Sequence, residues 1–404
     1  MNIGIICEYN PFHNGHLYHI EKVREDFGDD TNIIAVMSGN YVQRGGVAIA
    51  DKGLRAKCAV ESGVNLVLEL PFPFSMSSAE YFARSSVHIL DSLGCIDYIS
   101  FGSESGSVEE LIKIAKIMLS DEFDSLLKKL SSNSETKKLG HAALCELAFK
   151  ALVNTDEFAF SFTPNNILAI EYIKAIITSK SSIKVHTVKR TSNNFSDENI
   201  VPGRIQSATA IRNSIEQKDI SALEFIPNIT KNFVLQAINS GDFPCDSERL
   251  SPAIITSLRL NSSAASEEVH DTAGGLYNRL RDISFKTNTL NSLICTAESK
   301  NFTKARIRRT LFYSLLGVTS SQFKEPAAYT QLLAMDSNGR AILKAIGKRS
   351  HFPILTKPSD LDKLPEDAKI QKMLSDKADS IFQMTKPIPK DGNEALRFTP
   401  YVKK

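Results

Sequence analysis

His13 and His16, separated by Asn14 and Gly15, stand just past an apolar run from Asn2 to Cys7, where a helical spacing begins. Imidazoles at i and i+3 lie on one side of a helical turn, so both can face the same anionic group. Gly15 between them lets backbone and a phosphate approach with no Cβ in the way. A helix mouth adds unpaired backbone N–H groups and the positive end of the helix dipole. Phosphoryl transfer needs mainly positioning and charge stabilisation, which paired hydrogen-bond donors supply. A lone His-x-x-His is often incidental; Asn10-Pro11-Phe12 before it and Gly15 within it give this one its weight. A metalloprotease-type zinc site fits less well, because its histidines stand at i and i+4 around a Glu that is missing here.

Short, fully apolar segments alternate with amphipathic ones through the first half of the chain. Asn2 to Cys7, Ile33 to Met37, Leu66 to Leu70 and Ile96 to Phe101 read as strands. Leu17 to Phe27, a segment capped by Asp51, and a segment from Ser77 or Ser78 to Leu93 read as helices. Pro164 to Ile177 and Ile183 to Val188 resume the pattern as helix and strand. This alternation predicts an α/β fold, a parallel sheet with helices on both faces, and ligands bind such sheets at the carboxyl ends of the strands. Residues 105–160 read as a polar helical insertion. From Ser207 onward the strands fade and helices take over, giving an expected division into 1–217 and 218–404, with Pro387 to Lys404 a loosely held tail.

Two segments carry a family resemblance. Glu8-Tyr9-Asn10-Pro11-Phe12-His13-Asn14-Gly15-His16 looks like the His-x-Gly-His signature of the nucleotidyltransferase superfamily. Ser207-Ala208-Thr209-Ala210-Ile211-Arg212 resembles that superfamily's Ser-Ser-Thr-x-Ile-Arg-like run, departing from it at Ala208. Met37 to Gly45, Leu68 to Pro71, Phe101 to Glu104, Pro164 to Leu168 and Val188 to Thr191 narrow the likeness to the bacterial tRNA(Met) cytidine acetate ligase family. These motifs span roughly residues 1 to 215, and beyond them the resemblance rests on length and helical character.

The resemblance implies a Rossmann-like, HUP-type nucleotidyltransferase domain followed by a mainly helical, tRNA-binding C-terminal domain. It implies that acetate and ATP give acetyl-adenylate and pyrophosphate, and that the acetyl group passes to N4 of the wobble cytidine of elongator tRNA(Met). His13 and His16 would stabilise charge on the α-phosphate and the leaving pyrophosphate, and Ser207, Thr209 and Arg212 would hold the distal phosphates. By analogy Cys7, Glu8, Tyr9, Asn10, Pro11, Phe12, Asn14, Gly15, Leu17, Tyr18, His19, Ile20, Gly102, Asn165 and Arg190 would surround ATP. The less favoured readings are that Asn165 is a helix cap and Arg190 a surface charge. Gln43, Arg44 and Lys52 either position substrate or lie in a solvated loop. Glu8 and Glu104 could assist the Mg2+ that ATP chemistry normally uses, and no protein metal site is expected.

A net charge of +2 does not by itself imply a polyanionic partner. Between Arg279 and Arg309, however, eight basic residues face only Asp282 and Glu298. Arg279, Arg281, Lys304 and Arg308 are the expected RNA contacts, against the alternative of a solvated helix face. A nucleotidyltransferase for a small metabolite and a non-catalytic RNA-binding protein remain open readings. The 42% hydrophobic and 23% charged composition is that of a soluble globular chain, and 404 residues suit two domains. No apolar run approaches the roughly 20 residues that cross a bilayer, and the N-terminus lacks a basic n-region, so a cytoplasmic enzyme without a membrane partner is expected. Six scattered cysteines with no close pair argue against zinc fingers and redox dithiols and read as buried reduced thiols.

Overall fold

The computed structural model describes residues 1–133, 135–136, 139–153, 162–190, 206–261 and 268–404. Strands β1 (Asn2–Cys7), β2 (Asn32–Ser38), β3 (Leu66–Leu70), β4 (Tyr98–Ser103) and β5 (Lys184–Lys189) are all parallel to their neighbours, in the order β5-β4-β1-β2-β3. β1 to β3 are buried on both faces, which is why they read as unbroken apolar runs rather than alternating ones. Helices α1 (Asn14–Phe27) and α2 (Lys52–Glu61) cover one face of the sheet. Helices α3 (Ala79–Ser92) to α7 (Pro164–Ser179), with α4 (Val108–Met118), α5 (Asp121–Ser132) and α6 (His141–Leu152) between them, contribute to the core on the other. The described part of the 105–160 segment is helical, as expected.

Beyond residue 206 come α8 (Ala208–Glu216), α9 (Asn228–Asn239), α10 (Ser251–Leu260), α11 (Leu276–Ser284), α12 (Leu290–Ala297), α13 (Lys304–Leu316), α14 (Ser337–Arg349) and α15 (Glu366–Phe382). Strands do not fade out here, contrary to expectation. β6 (Thr330–Met335) pairs antiparallel with β3 and so extends the main sheet. The outer edge of β6 is shared by β7 (Ile354–Leu355) and β8 (Tyr401–Val402). The run Leu332-Leu333-Ala334 is as short and apolar as β3, so periodicity alone could not separate it from a buried helix.

The tail is also held more firmly than the sequence suggests. β8 adds to the sheet, Tyr401 donates its hydroxyl to Glu61, and Phe398 lies 5.4 Å from the Lys52 ammonium. Two aromatic residues in four carry this anchoring, outweighing the Pro and Lys content around them. Cys58, Cys145 and Cys245 are buried, Cys7 and Cys95 half-buried and Cys295 exposed, so the expectation of buried thiols holds only in part. No described helix is long and apolar enough to cross a membrane.

Candidate active site

The chain runs from β1 outward to β2 and β3, then returns to place β4 on the other side of β1. The reversal leaves a crevice at the carboxyl ends of β1 and β4, where open α/β sheets bind ligands. His13 follows β1 and is the N-cap of α1, in an extended conformation. Its Nδ1 accepts the Gly15 N–H at 3.0 Å, and its own backbone N–H donates to His16 Nδ1 at 3.2 Å. The two rings lie 3.9 Å apart between centroids, backed by Tyr9 and Phe12.

This arrangement changes the chemistry expected of the segment. The helix mouth is not an open nest of backbone donors, because Gly15 N–H goes to a ring and His16 N–H to the His13 carbonyl. With each Nδ1 acting as an acceptor, a neutral ring carries its proton on Nε2. The site therefore offers two imidazole N–H donors held by reciprocal capping.

Burial, then the charges of Arg190 and Arg212, lower the His13 pKa to about 3. Burial, His13 and Arg190 lower that of His16 well below its ordinary value. Both rings are thus neutral donors at physiological pH, and the arginines supply the positive charge. Because the folded pKa of His13 lies below its unfolded value of 6.5, the unfolded chain binds the extra proton between pH 6.5 and about 3. Stability is expected to fall as pH drops through that window and to be complete above it. Unfolding midpoints across the window check this: the decline should be shallower in His13→Asn, and an identical slope would contradict the assignment.

Arg190, just past β5, reaches the histidines by crossing the end of β4. A Cβ on Gly102 would lie 3.3 Å from Arg190 Cγ, so Gly102 makes room first of all for this side chain. Arg212 enters from α8, donating to the Asn10 carbonyl at 2.7 Å and to Thr209 Oγ1 at 3.0 Å. Ser207 caps α8 by accepting the Ala210 N–H at 3.0 Å. The two signatures, 202 residues apart, thus meet through one guanidinium. Thr191, the last residue of the Val188–Thr191 motif, lies outside the described residues.

Asn165 is not the helix cap: Thr163 accepts the Asn166 N–H, and Asn165 Nδ2 donates to Glu104 at 2.6 Å. Glu104 also accepts from the Thr163 hydroxyl at 2.6 Å, so both of its oxygens are engaged. Glu8 accepts the Gln43 N–H at 2.8 Å, and Cys7 is a half-buried thiol that burial pushes up beyond reactivity. Not every residue of the Cys7 to Ile20 segment faces the crevice. Ile20 is buried in the core with Tyr9 and Phe12, and half-buried Leu17 packs against the same cluster. Tyr18 lies under the Lys22 ammonium at 5.7 Å, on the face bearing the exposed Lys22–Glu25 pair. Helical periodicity makes this unavoidable, since a contiguous run in a helix cannot share one face.

The basic residues separate as well. Arg308 packs against Gly45, whose φ of +81° and 2.6 Å hypothetical Cβ contact leave no space for a side chain. Its charge is felt by Arg44, Arg212 and Glu216, which places it beside the Thr209–Arg212 pair. Lys304 pairs with Glu298 at 3.4 Å on an exposed surface. Arg279 donates to the carbonyls of Ala297 and Thr296, and Arg281 to that of Asn261, so both hold helix ends. Lys52 does not lie in a solvated loop: it is buried at the start of α2, with Glu69 at 2.8 Å and Asp379 at 2.6 Å.

Arg55 was overlooked in the sequence. Almost wholly buried, it donates to the carbonyls of Ala50, Glu8, Ser38 and Gly39, and so ties the loops after β1 and β2 together. Its place on the apolar face of α2, in line with Cys58 and Ala59, is the signal that could have revealed it.

The family described as HIGH Nucleotidyl Transferase matches residues 1–395. The chain is 39% identical over 372 residues to the tRNA(Met) cytidine acetate ligase of Caldanaerobacter subterraneus subsp. tengcongensis, covering 91% of each. It is 37% identical over 379 residues to the enzyme of that name from Acetivibrio thermocellus, covering 89% of each. The apo crystal structure of Thermotoga maritima TmcAL superposes with a TM-score of 0.92 at 30% identity, covering 99% of each chain. The same protein bound with alpha-thio ATP gives 0.90 at 30% identity over all of both chains.

Proposed function

The chain belongs to the tRNA(Met) cytidine acetate ligase family, and from that premise we propose that it couples ATP to the acetylation of N4 of the wobble cytidine in elongator tRNA(Met). The observation that carries this reading is the convergence of His13, His16, Arg190 and the Thr209–Arg212 clamp on one crevice. In the first step an acetate oxygen attacks the α-phosphate in line and pyrophosphate leaves, so no strong base is needed. The Nε2–H groups of His13 and His16 stabilise charge on the α-phosphate and the leaving oxygen. Arg212 and Thr209 hold the distal phosphates, and Arg190 adds charge from the β5 side.

Mg2+ would enter with the triphosphate and screen its charge. The described residues hold no cluster of three ligating side chains, and Glu104 is already engaged, so phosphate oxygens would be its main ligands. Residues 218–404 are the proposed RNA-binding part, with Lys304 and Arg308 the contacts closest in character to a phosphate track and Arg279 and Arg281 weaker ones. A cytoplasmic location suits such a substrate.

Incubation with ATP, radiolabelled acetate and unmodified methionine tRNA is expected to put label into RNA. No label, together with ATP–pyrophosphate exchange driven by another acid, would favour a metabolite nucleotidyltransferase instead. No exchange with any acid, but salt-sensitive tRNA binding, would favour a binding protein.

A further inference from the structure

A chain of hydrogen bonds leaves the histidine cluster and ends at solvent. His19, one turn beyond His16 on α1, meets Ser100 Oγ through Nε2 at 2.8 Å. Ser100 Oγ meets His186 Nδ1 at 3.0 Å, and His186 Nε2 meets Asp26 Oδ2 at 3.0 Å. Ser100 on β4 is fully buried, directly opposite His186 on β5 in the parallel register. The His186 side chain is 17% exposed, whereas that of Asp26 is 51% exposed. The Phe27 ring covers His186 edge-on at 4.8 Å and packs on Tyr98 at 4.9 Å.

The direction of the chain follows from its solvent end. A carboxylate only accepts, so His186 Nε2 carries a proton, and in the neutral ring Nδ1 accepts one from Ser100. Ser100 in turn accepts from His19 Nε2–H. Neutral His19 then has its lone pair on Nδ1, for which no protein partner exists among the described residues. Burial, His186 and Arg190 lower the His19 pKa to about 4, and His16 is its other titratable neighbour toward the site. A group so placed holds a proton poorly but can pass one on.

We propose that His19, Ser100, His186 and Asp26 form a proton relay that carries away the proton released when an amine is acylated in this site. This rests on the acetylation reading above. In that step the N4–carbon bond forms, the bond from the acetyl carbon to the phosphate oxygen breaks, and AMP leaves with the electron pair. One proton remains to be removed from the amine. It passes to His19 Nδ1, directly or through one water; the Nε2 proton moves to Ser100, the Ser100 proton to His186 Nδ1, and the His186 Nε2 proton to Asp26 and solvent. No positive charge then stays beside Arg190. Adenylation, the attack of a carboxylate on ATP, releases no proton and does not need the relay.

The variants Asp26→Asn and His186→Gln test this in the full-length protein. Acetate-dependent ATP–pyrophosphate exchange should stay near the unaltered rate, which also reports an intact fold. Single-turnover acetyl transfer to tRNA from preformed adenylate should fall by about 10- to 100-fold near pH 7, at or below the low end of general acid–base contributions. The deficit should narrow as pH rises, and the solvent deuterium isotope effect on transfer should change. Unaltered transfer at every pH with intact exchange would overturn the relay alone, as would equal losses in both half-reactions. Absence of acetate-dependent exchange in the unaltered protein would overturn the acetylation reading and the relay with it.

Discussion

His16→Ala is expected to lower acetate-dependent ATP–pyrophosphate exchange by about 10²–10³-fold, the usual cost of removing one preorganised donor aimed at transition-state charge. The ring does more than donate. Its Nδ1 accepts the His13 backbone N–H, so its loss also frees the neighbouring cap and lets the His13 ring turn. His13→Ala should therefore cost a similar amount, and the double variant much less than the product of the two, because the rings act as one unit. Affinity for tRNA should be nearly unchanged in all three, since neither ring is among the residues expected to follow the RNA backbone. Exchange assays and salt-matched tRNA binding measure the two quantities separately. A large loss of RNA affinity in His16→Ala would falsify this division of labour.

Lys52→Met is expected to destabilise the protein by about 3–5 kcal/mol, the cost of stranding buried charge by removing its partner. Burial alone would lower the Lys52 pKa, but Asp379 and then Glu69 more than offset it and raise it. Without the ammonium, the Glu69 carboxyl, already raised by burial, loses its ion-pair partner and keeps only the weaker influence of Lys372. Among the described residues Asp379 keeps only its bond from Asn40 at 2.8 Å. The ion cluster joins α2 and β3 to α15, so the loss should appear as earlier unfolding in denaturant. Restoring neutrality with Glu69→Gln and Asp379→Asn in the Lys52→Met background should recover much of it. An unchanged unfolding midpoint in the single variant would show that the cluster contributes nothing.

Local rules carried a large share of this protein. The parallel strands are buried on both faces, and burial on both faces requires the unbroken Ile, Val and Leu runs that were visible at once. The Asp51 cap and the Pro164 start of α7 are set by backbone valences a few residues away. The same locality explains what was misread. β6 is too short to show a period, and the tail is held by distant partners, β6 and, more than 300 positions away, Glu61 in the Tyr401–Glu61 bond. That Arg279 and Arg281 also hold helix ends was not legible either, because a sequence does not show which carbonyls a guanidinium will reach.

The sequence by itself determined the α/β class and the position of the His13–His16 segment just after the first strand, which follow from spacings within a few residues. Resemblance to the superfamily's second signature, rather than spacing, singled out Ser207 to Arg212. Only the tertiary structure decided what those residues are chemically. The histidines are neutral because folding buries them and brings Arg190 beside both rings and Arg212 beside His13. Their donors are ring Nε2–H groups because each Nδ1 is consumed in closing the helix mouth. Protonation state and donor direction depend on the surroundings in space, and folding alone brings those surroundings together.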